Sequence, residues 1–263
     1  MMSYDKRHIE ILVELIPLGS AIVAGIFTVT LARQYTSRKR LYQLIWTVGM
    51  ALFAAGAFLE FAMSLVTVTG PLFDLYYILI GPETGLLGAG VVYLLRPRYG
   101  KYVLYAVAAL SAVLVLSVFA WPVDLSGLVT FMPPPLETYQ QWFQTSVVYG
   151  IGFAVGAFAE VPRDLTMVLN VAGAVLVVGG GLLSFVVDRH RYYALLIAAG
   201  ALMNAVGGIL LGILNMPGVF FYFEFFGIVV FFLGFIMSSR FIVRTSPTAQ
   251  STFSASFPAR HKD

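Results

Sequence analysis

The chain has 263 residues, of which 59% are hydrophobic and only 11% charged. A soluble domain carries about 25% charged residues, so this composition excludes a water-solvated globule. Its 16 basic and 13 acidic residues leave a net charge of +3, too little and too dispersed for a nucleic-acid surface, and the lack of cysteine excludes disulfides and thiolate chemistry.

A membrane-spanning helix needs about 20 mostly apolar residues. Seven runs meet that length: 9–33, 42–67, 71–95, 102–122, 165–187, 192–214 and 218–239. They predict an all-α fold, a polytopic membrane bundle of seven transmembrane helices, with residues 1–244 as one helical domain. The first run is too long for the core of a signal peptide, so it reads as a retained helix. The tail 245–263 is rich in Ser, Thr and Pro and reads as a disordered cytoplasmic segment.

Cytoplasmic connections carry excess Lys and Arg. Arg33, Arg38, Lys39 and Arg40 follow the first run; Arg96, Arg98 and Lys101 follow the third. Arg189 and Arg191 follow the fifth, and Arg240 and Arg244 the seventh. The intervening connections are nearly free of basic residues. One orientation satisfies this alternation, N-terminus outside and C-terminus inside, in the cell membrane; Lys6 and Arg7 are mild exceptions.

The segment 123–164 opens with Pro133, Pro134 and Pro135, then turns apolar, with a Gly152/Gly156 pair at close-packing spacing. An eighth span here would move Arg189 and Arg191 outside. An outer loop with an interfacial or re-entrant helix is therefore the favoured reading.

The runs on either side of the fourth suggest a parallel three-one-three repeat. Arg40-Leu41-Tyr42 opens the second helix and Arg191-Tyr192-Tyr193 the sixth; in that register Gly49 falls on Gly200 and Gly56 on Gly207. Gly70-Pro71 and Pro217-Gly218 precede the third and seventh. The competing account is that glycine and tyrosine are simply common in membrane helices.

Ionisable residues within a span are costly and are functional candidates by default. Glu14, Glu60, Glu83 and Glu224 lie inside runs, and Asp74 starts the third. Residues three and four apart share a helix face. Glu14 shares one with Ala21 and Gly25, Glu60 with Gly56 and Gly49, Glu224 with Gly227 and Gly234, and Asn204 with Gly200, Gly207 and Gly208. Small residues mark helix contacts in membranes, so these polar groups are expected to face the bundle interior. Glu14, Glu60, Glu224 and Asp74 then form an acidic pocket in the outer half. Glu83 sits deeper, in Gly81-Pro82-Glu83-Thr84-Gly85, where Pro82 is expected to break the helix. Tyr76, Tyr77, Asn170 and Tyr222 complete the candidate ligand- or proton-binding set. The competing account for each carboxyl is a protonated, hydrogen-bonded packing residue.

No Lys or Arg lies mid-span, and His8, His190 and His261 all fall outside the membrane core. Neither a retinal Schiff base nor histidine-ligated haem or zinc fits that distribution. No catalytic triad or metal cluster is visible, so no cofactor is expected and an enzyme is disfavoured. Trp121, Trp142, Tyr35, Tyr42 and Tyr102 suit an interfacial belt. The run Phe220-Phe221-Tyr222-Phe223-Glu224-Phe225-Phe226 reads as lipid-facing packing, with a hydrophobic pocket as the alternative.

The basic loop, Trp46, Glu60, Tyr76-Tyr77, Tyr93-Leu94-Leu95-Arg96-Pro97-Arg98 and Gly179-Gly180-Gly181 followed by Ser184 resemble a pattern of prokaryotic seven-helix membrane proteins. That resemblance implies a membrane location and no particular activity. The three-one-three plan alone is similar to that of sugar-transporting SWEET proteins, whose proline motifs are not matched here beyond Pro17. The expected partners are the lipid bilayer, a small solute or cation, and other membrane proteins or further copies of the chain, with no nucleic acid. The expected function is transport or binding of that solute; the rival is a non-catalytic subunit of a larger membrane complex.

Overall fold

The computed structural model describes the backbone of residues 2–66, 69–121, 160–214 and 217–244. Every element among them is a helix: α1 (Met2–Arg38), α2 (Leu41–Leu65), α3 (Gly70–Leu95), α4 (Pro97–Ala120), α5 (Glu160–Val187), α6 (Tyr192–Leu214) and α7 (Pro217–Arg244). Six contain stretches long and apolar enough to cross a membrane. The other, α6, has 23 residues, which at 1.5 Å per residue is about 35 Å, against a hydrocarbon core of about 30 Å. The chain is thus a helical bundle suited to multi-pass membrane insertion.

The helix ends follow local chemistry. Pro71 and Pro97 stand in the first turns of α3 and α4, where a missing N–H costs nothing. Lys39 ends α1 in the left-handed region, at φ 52°, and its N–H returns to the Tyr35 carbonyl at 2.7 Å. The α5–α6 turn is tied by Asp188, which accepts from the His190 backbone N–H and from Arg191 Nε, both at 3.1 Å. The His190 N–H beside it holds the Asp188 carboxyl below the usual carboxylate range.

Several boundaries differ from expectation. α1 runs well beyond 9–33 at both ends, α4 begins at Pro97 rather than 102, α5 begins at Glu160 rather than 165, with Pro162 tolerated in its first turn, and α7 continues to Arg244 rather than 239. More consequentially, α3 continues through Pro82, which corrects the expected helix break. Gly81 and Pro82 are both buried, and a Cβ at Gly81 would fall on Leu114 of α4. Packing on both sides holds the helix together where proline alone would interrupt it. Residues 123–159 and the tail 245–263 lie outside the described residues.

The main helix contacts form a closed cycle. α1 packs on α2 and α7, α2 on α3, α3 on α5, α5 on α6, and α6 on α7; α4 lies outside, against α3 and α5. Close crossings are built on glycine. A Cβ at Gly173 would lie 2.6 Å from Gly85 N, and one at Gly88 2.9 Å from Gly173 Cα, so α3 and α5 touch backbone to backbone. Gly200 and Gly234 do the same between α6 and α7.

The short connections place Arg38, Arg40, Arg96, Arg189 and Arg191 at one end of the bundle, the basic end. Toward that end the interior is aromatic. Phe27 lies 4.8 Å from Phe232 and from Phe235, and 5.7 Å from Phe231, centroid to centroid. Trp46 meets Phe235 edge-on at 6.3 Å. Its indole Nε1 donates to the Leu87 carbonyl at 3.1 Å, tying α2 to α3. Trp46→Phe keeps an aromatic ring but loses that bond and part of the indole's volume, so a stability loss of about 1–2 kcal/mol is expected. Trp46→Ala empties the space and is expected to cost about 3–5 kcal/mol. Thermal unfolding of both variants in one detergent checks the ratio.

Candidate functional site

Glu60 sits on the face of α2 that also carries Met50, Phe53, Gly56, Ala57 and Met63, all buried. Gly56 and Gly49 let α3 approach: a Cβ at Gly56 would touch Ile80, and one at Gly49 the Glu83 carbonyl. Glu224 occupies the matching face of α7, with Phe221, Gly227, Ile228, Phe231 and Phe235. The helical spacing that predicted inward-facing carboxyls is realised at both positions: Glu60 is 7% exposed and Glu224 5%.

The two carboxyls meet. Glu60 and Glu224 are in side-chain hydrogen-bond contact. The Tyr76 hydroxyl, from α3, donates to Glu60 Oε1 at 2.6 Å, a short bond for oxygen partners. Three helices therefore deliver three ionisable groups to one buried point. Two carboxylates in contact repel strongly in a low-dielectric interior, so the contact is attractive only with a proton or a cation between them. Among the described residues, Glu60 Oε2 and Glu224 Oε2 are buried without a hydrogen-bond partner. Buried polar oxygens almost always find a partner, so these two stand out within the bundle.

The other candidates fall at graded distances. Tyr77 is buried beside the site, its ring 6.1 Å from that of Tyr76 and 5.5 Å from Phe73. Glu83 lies two turns deeper on α3 than Tyr76, and Thr84 Oγ1 donates to its Oε1 at 3.4 Å. Among the described residues no three acidic or histidine side chains stand close enough to hold a metal ion. Asn204 of α6 reaches the backbone rather than the carboxyl. With its amide nitrogen turned toward α7, it donates to the Phe223 and Glu224 carbonyls, both at 3.1 Å. It packs on Gly227, so it fixes the α7 turn that carries Glu224.

Asp74 is half-buried, and two residues from Tyr76 it points about 160° round the helix. Asn170 is half-buried on α5, and among the described residues both Asp74 Oδ1 and Asn170 Oδ1 are buried without partners. Tyr222 is 44% exposed and turned away from Glu224. The side chain of Glu14 lies outside the described residues. The Phe220–Phe226 run divides: Phe221 is buried and Phe226 exposed, so it is neither purely lipid-facing nor a pocket lining.

Two buried hydroxyls escaped sequence reasoning. Ser20 of α1 and Thr166 of α5 are buried, and among the described residues their oxygens have no partner. Hydroxyls in helices usually bond back to the preceding turn, as Thr28 and Thr47 do here. Failure to do so leaves no mark in the sequence. Toward the basic end the site is closed by Ile228, Phe231 and Phe235, one, two and three turns below Glu224, packed with Phe27, Met50, Phe53 and Leu87. Comparison with family models, with curated proteins and with solved structures finds no match for this chain.

Proposed function

We propose that this chain is a membrane transporter or binding protein for a proton, a small cation or a cationic solute, held between Glu60 and Glu224 with Tyr76. The observation that carries this is the meeting of two buried carboxyls from α2 and α7. In the three-plus-three division these helices belong to different units, α1–α3 and α5–α7. The helix contacts support that division: α1 on α2, α2 on α3 and α1 on α7 have counterparts in α5 on α6, α6 on α7 and α5 on α3. Gly49 and Gly200 support it too, each meeting a carbonyl of the following helix, Glu83 and Gly227 respectively.

The mechanism follows from charge. With a proton or cation between them, the carboxyls clamp the two units together. Its loss leaves like charges facing each other in a low-dielectric site, which drives the units apart. Rocking of one three-helix unit against the other then gives alternating access, as in other transporters built from repeats. The aromatic packing toward the basic end is the closed side in this conformation.

Proteoliposomes with a trapped pH-sensitive dye test this reading. An imposed proton gradient is expected to collapse faster with the wild type than in protein-free vesicles, and Glu60→Gln and Glu224→Gln are each expected to abolish the difference. Sodium and potassium gradients, read with the matching ion dyes, extend the test to cations. Wild-type vesicles as tight as empty ones for all three ions would remove the ion-transport reading. The rival, a non-catalytic subunit, is favoured by the α5 face bearing Val171, Val175 and Gly179, which is exposed and open at Gly179. Stoichiometric partner chains in native mass spectra of protein drawn gently from its own membrane would favour it.

The orientation has a direct check because the chain has no cysteine. Single cysteines at the exposed positions Ser37 and Thr69 report opposite sides. S37C is expected to react with an impermeant maleimide only after permeabilisation, and T69C in intact cells. The reverse pattern would invert the topology.

A further inference from the structure

We propose that the basic end of α1 is a binding site for a phospholipid with an anionic headgroup. Thr30, Arg33, Gln34, Ser37 and Arg38 line a groove of about 410 Å³, within the range of small-ligand sites and ample for a phosphodiester. Their spacing of three and four residues puts them on one stripe of the helix. Gln34 borders α2, accepting from Gln43 Nε2 at 3.4 Å, so the groove lies along the α1–α2 seam. Arg33 and Arg38 are exposed, and among the described residues neither has an acidic partner. Lys39 and Arg40 add positive charge at the same end.

The same helix continues below the groove as an apolar track. Ile22, Ile26 and Val29 are each about half exposed, and with Arg33 they follow the same three-and-four spacing. Between Ile22 and Ile26, a Cβ at Gly25 would meet nothing within 4 Å. Gly25 borders this track, and among the described residues no other helix covers its backbone there. A cationic groove whose Arg33 edge stands at the head of an apolar, exposed track, Ile22, Ile26 and Val29, matches a phospholipid better than a water-soluble anion. Arginine suits the head because its planar fork binds phosphate with two parallel hydrogen bonds.

The test is competitive retention. Purified protein is mixed with phosphatidylglycerol and phosphatidylcholine of identical acyl chains, and bound lipids are counted by native mass spectrometry. The wild type is expected to retain phosphatidylglycerol preferentially. R33Q/R38Q is expected to lose that preference, by about fivefold for each arginine removed. I22N/I26N, which makes the track polar and leaves the groove intact, is expected to lower retention of phosphatidylglycerol itself. Equal retention of the two lipids by the wild type overturns the site without any variant. Displacement of the lipid by inorganic phosphate would make the groove a site for free anions and overturn the lipid assignment.

Discussion

Gly173→Val is expected to abolish the assembled bundle in detergent, while Gly179→Val, six residues along the same helix, is expected to leave it intact. At Gly173 an added Cβ falls on the Thr84 carbonyl and 2.6 Å from Gly85 N; at Gly179 it meets nothing within 4 Å. Overpacking against flexible side chains costs about 1–3 kcal/mol. Here the obstacle is the backbone of α3, which cannot turn aside, so the helices must separate along their length. Separation would also strip the packing of Gly88 on Gly173 and of Gly180 on Val91. A loss above about 5 kcal/mol exceeds what a marginally stable fold can absorb. The α3–α5 seam is also one of the two joins that close the six-helix cycle. Size-exclusion profiles and thermal midpoints of the two variants decide the matter: similar, monodisperse behaviour would mean that α3 and α5 do not cross at Gly173.

That contrast also marks how far spacing alone could be read. The helices themselves were legible because bilayer thickness imposes a length on every apolar run. Their ends were less so: hydropathy registers where a helix leaves lipid, not where its hydrogen bonding stops, and α1 therefore extends past both limits of its apolar run. Glycine faces located contacts at Gly49, Gly56, Gly200, Gly207, Gly227 and Gly234, but Gly25 and Gly208 meet nothing within 4 Å. A glycine permits close approach without requiring it. The Gly179-Gly180-Gly181 run divides accordingly: Gly179 is open, Gly180 faces Val91 and Gly181 faces Ala194 and Ala198. Periodicity correctly turned Glu60 and Glu224 inward, yet nothing in it could say that they would meet, since their helices are far apart in sequence. Pro82 was misread for a related reason. A proline interrupts a helix whose neighbours cannot hold it, and the packing of Gly81 against α4 is a long-range property.

Replacing the three site residues together, as E60L/Y76F/E224L, is expected to yield a protein at least as stable as the wild type and inert in the proton-flux assay. Tyr76→Phe alone removes the 2.6 Å donor of Glu60 Oε1. Polar contacts between membrane helices contribute about 0.6 kcal/mol on average and about 1.7 at most, so a loss near 1 kcal/mol is expected for that variant. Glu60→Leu alone leaves the Tyr76 hydroxyl buried without its acceptor, which costs about 1–3 kcal/mol, and also deprives Glu224 of its partner. The penalties arise from what each single change strands. Removing all three polar groups strands nothing, and substitution of a buried polar cluster by apolar side chains of similar volume is often neutral or stabilising by about 1–4 kcal/mol. The singles should therefore sum to far more destabilisation than the triple shows, with coupling of about 0.5–3 kcal/mol for groups in contact. A stable triple variant that has lost proton flux would mean that the cluster serves binding rather than folding. If the triple variant is stable and still dissipates the gradient, ion movement does not pass through these carboxyls. If the triple is as damaged as the sum of its singles, the cluster is a strut of the bundle, and the subunit reading gains what the transporter reading loses.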